Sequence, residues 1–197
     1  MTLTDDYIKL IKLQRPYILG TSNDEIFSNY MQDIEFDYND IKDYLVDTKA
    51  LVDLGGGMGG IDYMIKLKNP DIQISLLDGV KVELGEHYGY RDNIAFYSNN
   101  AVAENFFKSN NINIDFWPAD PLTIIKCDTL ISLNSWGFHY PLEQYKIFLE
   151  NNSSTINTII IDIRVKYQNI NLLNNYGFEY SKLLRRWGSK KIGRAHV

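Results

Sequence analysis

The rhythm of apolar residues changes sharply near residue 47. Upstream, apolar positions recur at helical spacing. In "TSNDEIFSNYM", Ile26 pairs with Tyr30 and Phe27 with Met31, the repeat expected of one helix face. Ser22, followed three residues later by Glu25, is a capping-box start for that helix. "NDIKDYL" predicts a further short helix. Downstream, short apolar runs bounded by Gly, Pro or Asn take over, and these predict buried strands. They are "ALVDL" (50–54), "IQISLLD" (72–78), "NIDFWPADP" (113–121), "DTLISLN" (128–134), "NTIIIDI" (157–163) and "FEYSKLL" (178–184).

Helical stretches lie between most of these runs. Ile61, Met64 and Ile65 make one helix face, broken at Asn69-Pro70. "NNAVAENFFKSNNI" offers Asn99 or Asn100 as a cap, with Val102 and Phe106 on one side. Pro141 suits the opening of a helix carrying Leu142, Tyr145 and Leu149. "NINLLNNYG" reads as a short helix ending at Gly177. Strands alternating with helices imply an α/β fold, a doubly wound and mostly parallel sheet covered on both faces. Residues 1–46 are expected to form a helical cap on a core of residues 48–191, all within one domain. The last six residues, "IGRAHV" (192–197), match the translation of a common sequencing adapter. They are expected to be a non-native tail outside the fold.

Composition narrows the functional classes. At 197 residues, with 45% hydrophobic and 23% charged residues, the chain has the make-up of an ordinary globular protein. Its net charge of -5 gives no support for a nucleic-acid partner. The densest basic group is Lys182, Arg185, Arg186, Lys190 and Lys191, read as a solvated stretch. Cys127 is the single cysteine, which rules out an intrachain disulfide and predicts a small buried apolar residue. "MTLTDDYIKL" is not expected to act as a signal peptide, and no apolar run approaches the ~20 residues of a membrane span. The cytoplasm is therefore the expected location.

The chemistry concentrates first at "VDLGGGMGG" (52–60), after the first strand. Read as D-x-G-x-G-x-G it uses Asp53, Gly55, Gly57 and Gly59, with Gly56 inside the turn. This spacing is typical of S-adenosylmethionine (SAM) sites. Read as G-x-G-x-x-G it uses Gly55, Gly57 and Gly60, the spacing of dinucleotide sites. Either way, a glycine turn lets a ligand approach the backbone closely. Asp53 favours the first reading, because a carboxylate repels a pyrophosphate but suits a cationic amino-acid group. Asp78, at the end of the second strand and followed by Gly79, can accept from ribose hydroxyls in either ligand. Asp120, after the third strand, can accept from an exocyclic adenine amine.

With strand four at "DTLISLN", this set resembles the class I SAM-dependent methyltransferases from about residue 48 to 184. The resemblance implies that the glycine loop holds the amino-acid part of SAM, Asp78 the ribose and Asp120 the adenine. It also implies an antiparallel seventh strand between strands five and six. None is legible after "FEYSKLLRRWGSKK", so the fold is expected to be truncated at the last strand.

The loop after strand four, "NSWGFHYP" (134–141), gathers polar and aromatic residues where doubly wound sheets bind ligands. Asn134 is assigned to the cofactor. His139 is the candidate base for a hydroxyl acceptor, with capping of the next helix as the alternative. Trp136, Phe138 and Tyr140 are assigned to the acceptor, with a core role open for Trp136 and Phe138. The N/D-P-P-Y/F signature of methyltransferases for exocyclic amines is absent from the loop. "SWGFHYP" is similar to a feature of sugar and other small-molecule O-methyltransferases. Arg164, ending strand five, suits an anionic substrate group or a surface ion pair, and Asp162 a second polar contact. His87 and Tyr88, in "GEHYGYRD", are candidates to line the cofactor site from a loop over it, with an exposed loop histidine as the favoured alternative. Tyr17 is placed to reach the cofactor and Arg15 the substrate. No acids cluster in the sequence as a metal site. The expected function is methyl transfer to a small molecule. An NAD(P)-dependent oxidoreductase and an inactive SAM-fold binding module are the alternatives.

Overall fold

The structure, a computed structural model, describes residues 1–79, 99–164, 170–187 and 190–196, with side chains at 1–79, 99–163 and 171–179. Two helices open the chain, α1 (Asp5–Gln14) and α2 (Asn23–Ile41). Thr4 caps α1 by accepting from Tyr7 N at 3.3 Å, and Asp5 and Asp6 sit in its first turn, where the helix dipole favours acids. Ser22 caps α2 by accepting from Glu25 N at 3.2 Å. Glu25 reaches back to Thr21 N at 2.7 Å, one residue before the cap. "NDIKDYL" does not form a separate helix. Its first residues close α2, and Lys42–Tyr44 continue as a single 3-10 turn.

The remaining elements alternate as expected: β1 (Ala50–Leu54), α3 (Gly60–Lys68), β2 (Gln73–Asp78), α4 (Asn100–Ser109), β3 (Asp115–Pro118), β4 (Thr129–Ser132), α5 (Lys146–Asn152), β5 (Thr158–Arg164), β6 (Glu179–Trp187) and β7 (Lys190–His196). Short 3-10 helices fill Leu142–Tyr145 and Ile170–Tyr176. Pro141 precedes the first of these and not an α-helix. The sheet order is β3-β2-β1-β4-β5-β7-β6. β3, β2, β1, β4 and β5 pair in parallel, and β7 runs antiparallel to both β5 and β6.

Alternation along each strand divides the core into two layers. Leu51, Leu76, Ile131 and Ile160 pack with α1 to α4, through Tyr7, Ile11, Ile34, Ile65 and Phe106. Val52, Leu77, Leu130 and Ile159 pack on the other face with Phe148 and Leu149 of α5. Burial on both faces explains why these strands read as continuous apolar runs. The N-terminal helices belong to the first layer. Cys127 is buried among apolar residues of the second.

The seventh strand, expected to be missing, is present between β5 and β6. Ile192 to His196, set aside as a tail, lie within β7, where Ile161 faces Gly193 and Asp162 faces Ile192. Strand pairing is made by backbone N–H and C=O groups. A segment between two open strand edges can satisfy both without a strong side-chain pattern, so periodicity did not reveal it. The segment containing His87 and Tyr88 lies outside the described residues.

Candidate functional site

Strand order reverses at β1, which has β2 on one side and β4 on the other. Ligands of open α/β sheets bind outside the carboxyl ends of the strands at such a point. The glycine loop lies there, and its backbone separates the two readings of the motif. Gly55, Gly57 and Gly59 have positive φ angles of 78°, 64° and 71°, so the D-x-G-x-G-x-G positions carry the special geometry. A Cβ on Gly55 would fall 1.8 Å from Ser135 Oγ, and one on Gly57 would fall 1.9 Å from Gln14 Nε2. Gly60 is constrained differently. A Cβ there would meet the Tyr30 hydroxyl at 2.1 Å, so Gly60 lets α3 start close against α2.

Asp78 pins this loop. Its carboxylate accepts from Gly57 N and, at 2.5 Å, from Gly79 N. Gly55 N donates to Leu77 O at 2.7 Å. A carboxylate has about four acceptor positions, so holding the loop is compatible with taking a ribose hydroxyl as well.

Asp53 sits behind the loop, 1% exposed, with Oδ2 against Gly56. It is hydrogen-bonded to Asp62 of α3, which is fully buried. Among the described residues no N–H or O–H donor reaches any of the four carboxyl oxygens, so the pair is relieved only by keeping a proton between them. Burial, then the charges of Asp62 and Asp78, hold Asp53 well above the ordinary carboxylate range. Burial pushes Asp62 up to about 7, against the lowering effect of its hydrogen bond with Asp53. Asp53 thus supports the loop from beneath.

The ends of β2, β3 and β4 converge. Ala119 N donates to Asp78 O at 2.9 Å, which brings the chain after β3 alongside Asp78. Asp120 is exposed there, and its Oδ1 accepts from Leu122 N at 2.9 Å. Burial raises the Tyr145 hydroxyl pKa above its ordinary value, and Asp78, Tyr140 and Asp120 add to the effect. All three therefore face one neighbourhood.

The loop after β4 is held from β5. Asn134 has a left-handed backbone, φ 57°, and its N–H donates to Asp162 Oδ2 at 2.8 Å. Asp162, expected as a substrate contact, is fully buried and anchors this turn. Trp136 is likewise corrected. It is fully buried, its indole N–H donates to Leu142 O at 3.0 Å, and its ring packs edge-on to Tyr145. It is a core residue and not a wall for the acceptor, because the neutral indole found a carbonyl partner inside the second layer. Phe138, His139 and Tyr140 remain half-buried, with the Phe138 and His139 rings 4.8 Å apart. His139 N donates to Ser135 O at 2.8 Å. The Arg164 side chain lies outside the described residues, and its backbone ends β5.

Arg15 and Tyr17 are engaged with α2. Arg15 pairs with Asp33 and, at 3.3 Å, with Asp37, and Tyr17 donates to Asp33 at 2.7 Å. The cluster ties the end of α1 to α2. Three residues at the loop escaped the sequence reading: Gln14, Ser135 and Asp62. An acid in a first helical turn reads as a dipole partner, and nothing local marks the other two. Among the described residues, no cluster of His, Cys, Asp or Glu is placed to hold a metal ion, and no helix is long and apolar enough to cross a membrane.

No family model matches the chain, and no curated protein does. Solved structures do. Magnesium protoporphyrin IX methyltransferase from Synechocystis PCC 6803, with bound S-adenosylhomocysteine (SAH), is 16% identical with a TM-score of 0.61, covering 97% of this chain and 96% of that one. A protein from Pyrococcus horikoshii OT3 is 12% identical with a TM-score of 0.63, covering 98% and 99%. The pyocyanin biosynthetic protein PhzM is 15% identical with a TM-score of 0.60, covering 94% of this chain, which spans 60% of that protein's length. The chain has the Rossmann-like fold of the class I SAM-dependent methyltransferases.

Proposed function

We propose that this chain is a SAM-dependent methyltransferase acting on a small molecule, with a hydroxyl of a sugar-like compound as the acceptor. The observation that carries the reading is the backbone of residues 55–59: left-handed glycines at the three motif positions, pinned by Asp78 at the switch point. The likeness to a methyltransferase crystallised with SAH supports it. The residues present fit the cofactor. The glycine positions are too crowded for side chains, and the acids around them suit a cationic ligand. Gly55, Gly56, Gly57 and Gly59 hold its amino-acid part, with Asp53 behind them. Asp78 and Gly79 hold the ribose, Asp120 the adenine, and Asn134 closes the β4 side.

When bound, SAM supplies an electrophilic methyl group. The protein's own part is to orient the acceptor and receive its proton. His139, half-buried after β4, is the base. Phe138 and Tyr140 line the acceptor side, and Arg164 suits an anionic group on the substrate. A cytoplasmic setting belongs to the same reading. The test is a transfer screen with methyl-labelled SAM against sugars, amines and small acids, beside titrations with SAH and NADH. Label in a sugar hydroxyl is expected. Binding of NADH with none of SAH would overturn the assignment. His139→Ala is expected to slow transfer by about 10²–10⁴-fold while SAH affinity stays unchanged.

A further inference from the structure

We infer that Gln14, the last residue of α1, is a binding residue for the carboxylate of the cofactor's amino-acid part; the inference rests on the SAM reading above. Its side-chain nitrogen lies 1.9 Å from the position a Cβ on Gly57 would take, so the amide rests directly on the central glycine of the loop. Gln14 is half-buried, and its amide has no hydrogen-bond partner among the described residues. The helix that carries it is fixed to the same loop, because the buried Tyr7 hydroxyl donates to Met58 O at 2.9 Å. The amide is therefore held in place, and none of the described residues takes its hydrogen bonds.

The electrostatics of the loop give it a use. Asp78 on the loop, with the proton-sharing Asp53–Asp62 pair behind it, suits the ammonium and sulfonium of SAM and opposes its carboxylate. That carboxylate needs a donor. Gly55 N, Gly57 N and Gly59 N are all engaged, with Leu77 O, Asp78 and Gly56 O. Arg15, the nearest cation in sequence, is committed to Asp33 and Asp37. The Gln14 amide, against Gly57, supplies the N–H donors.

Binding of two ligands separates this role from a structural one. SAH carries the amino-acid part, and 5'-methylthioadenosine lacks it. Calorimetric titrations of wild type, Gln14→Ala and Gln14→Glu with both ligands are expected to show a selective loss. Gln14→Ala should weaken SAH by about tenfold to a hundredfold, as for a hydrogen bond to a charged group, and leave methylthioadenosine within about twofold. Gln14→Glu, placing one carboxylate against another, should weaken SAH further. Equal SAH affinity in wild type and Gln14→Ala would overturn the inference while leaving the SAM reading standing. So would an equal loss for both ligands, which would mark a change in the fold of the site. A wild type that binds neither ligand overturns the SAM reading, and this inference with it.

Discussion

Replacing Asp62 by Asn should flatten the dependence of stability on pH. Asp62 is fully buried beneath the glycine loop and shares a hydrogen bond with Asp53. The groups facing the pair are Asp78 from β2 and the Tyr7 and Tyr30 hydroxyls from α1 and α2. None is a cation. Burial lifts the Asp62 carboxyl from an ordinary 3.8 to about 7. Between these values the folded protein binds more protons than the unfolded chain. By linkage, stability therefore falls as pH rises through that window and levels off above about 8. Each pH unit by which burial raises the pair's shared titration makes the protein about 1.4 kcal/mol less stable at pH 8 than at pH 4. In Asp62→Asn the amide donates to Asp53 in place of the shared proton, and that titration disappears. Urea unfolding at pH 5, 6, 7 and 8 reads the difference from the transition midpoints at constant slope. Wild type should lose stability across the series, and the variant should lose less and exceed it at pH 8. Parallel curves for the two proteins would refute the shared-proton account.

Three further outcomes follow from the same geometry. Gly57→Ala forces a left-handed alanine, costing about 1–2 kcal/mol, and drives its methyl into Gln14. SAH affinity should fall more than about tenfold, and a titration that matches wild type would contradict the role of the loop. Gly60→Ala places a methyl against the Tyr30 hydroxyl, and the overpacking should cost about 1–3 kcal/mol, read as a lower urea midpoint. Trp136→Ala empties a core position and should cost about 3–5 kcal/mol, a fall in melting temperature of roughly 6–20 °C. A variant that melts like wild type but loses only acceptor affinity would return Trp136 to the acceptor site.

Local pattern was enough for much of the architecture. Ser22 with Glu25 marked the start of α2, the apolar runs marked the strands from β1 to β6, and Asp53 with its glycines marked the glycine turn after β1. Each signal is carried by residues close in sequence, where periodicity, caps and turn chemistry act. The partners of those residues were decided by the tertiary structure. Asp53 meets Asp62 because α3 folds back over β1, and Trp136 turns inward because Leu142 offers a carbonyl there. Gln14 reaches Gly57 from forty-three positions away only because Tyr7 and the first core layer dock α1 on the loop. β7 needed two open strand edges to become a strand at all. A side chain's type and spacing follow from the chain itself. What that side chain touches depends on elements brought together by burial, and burial is a property of the whole fold.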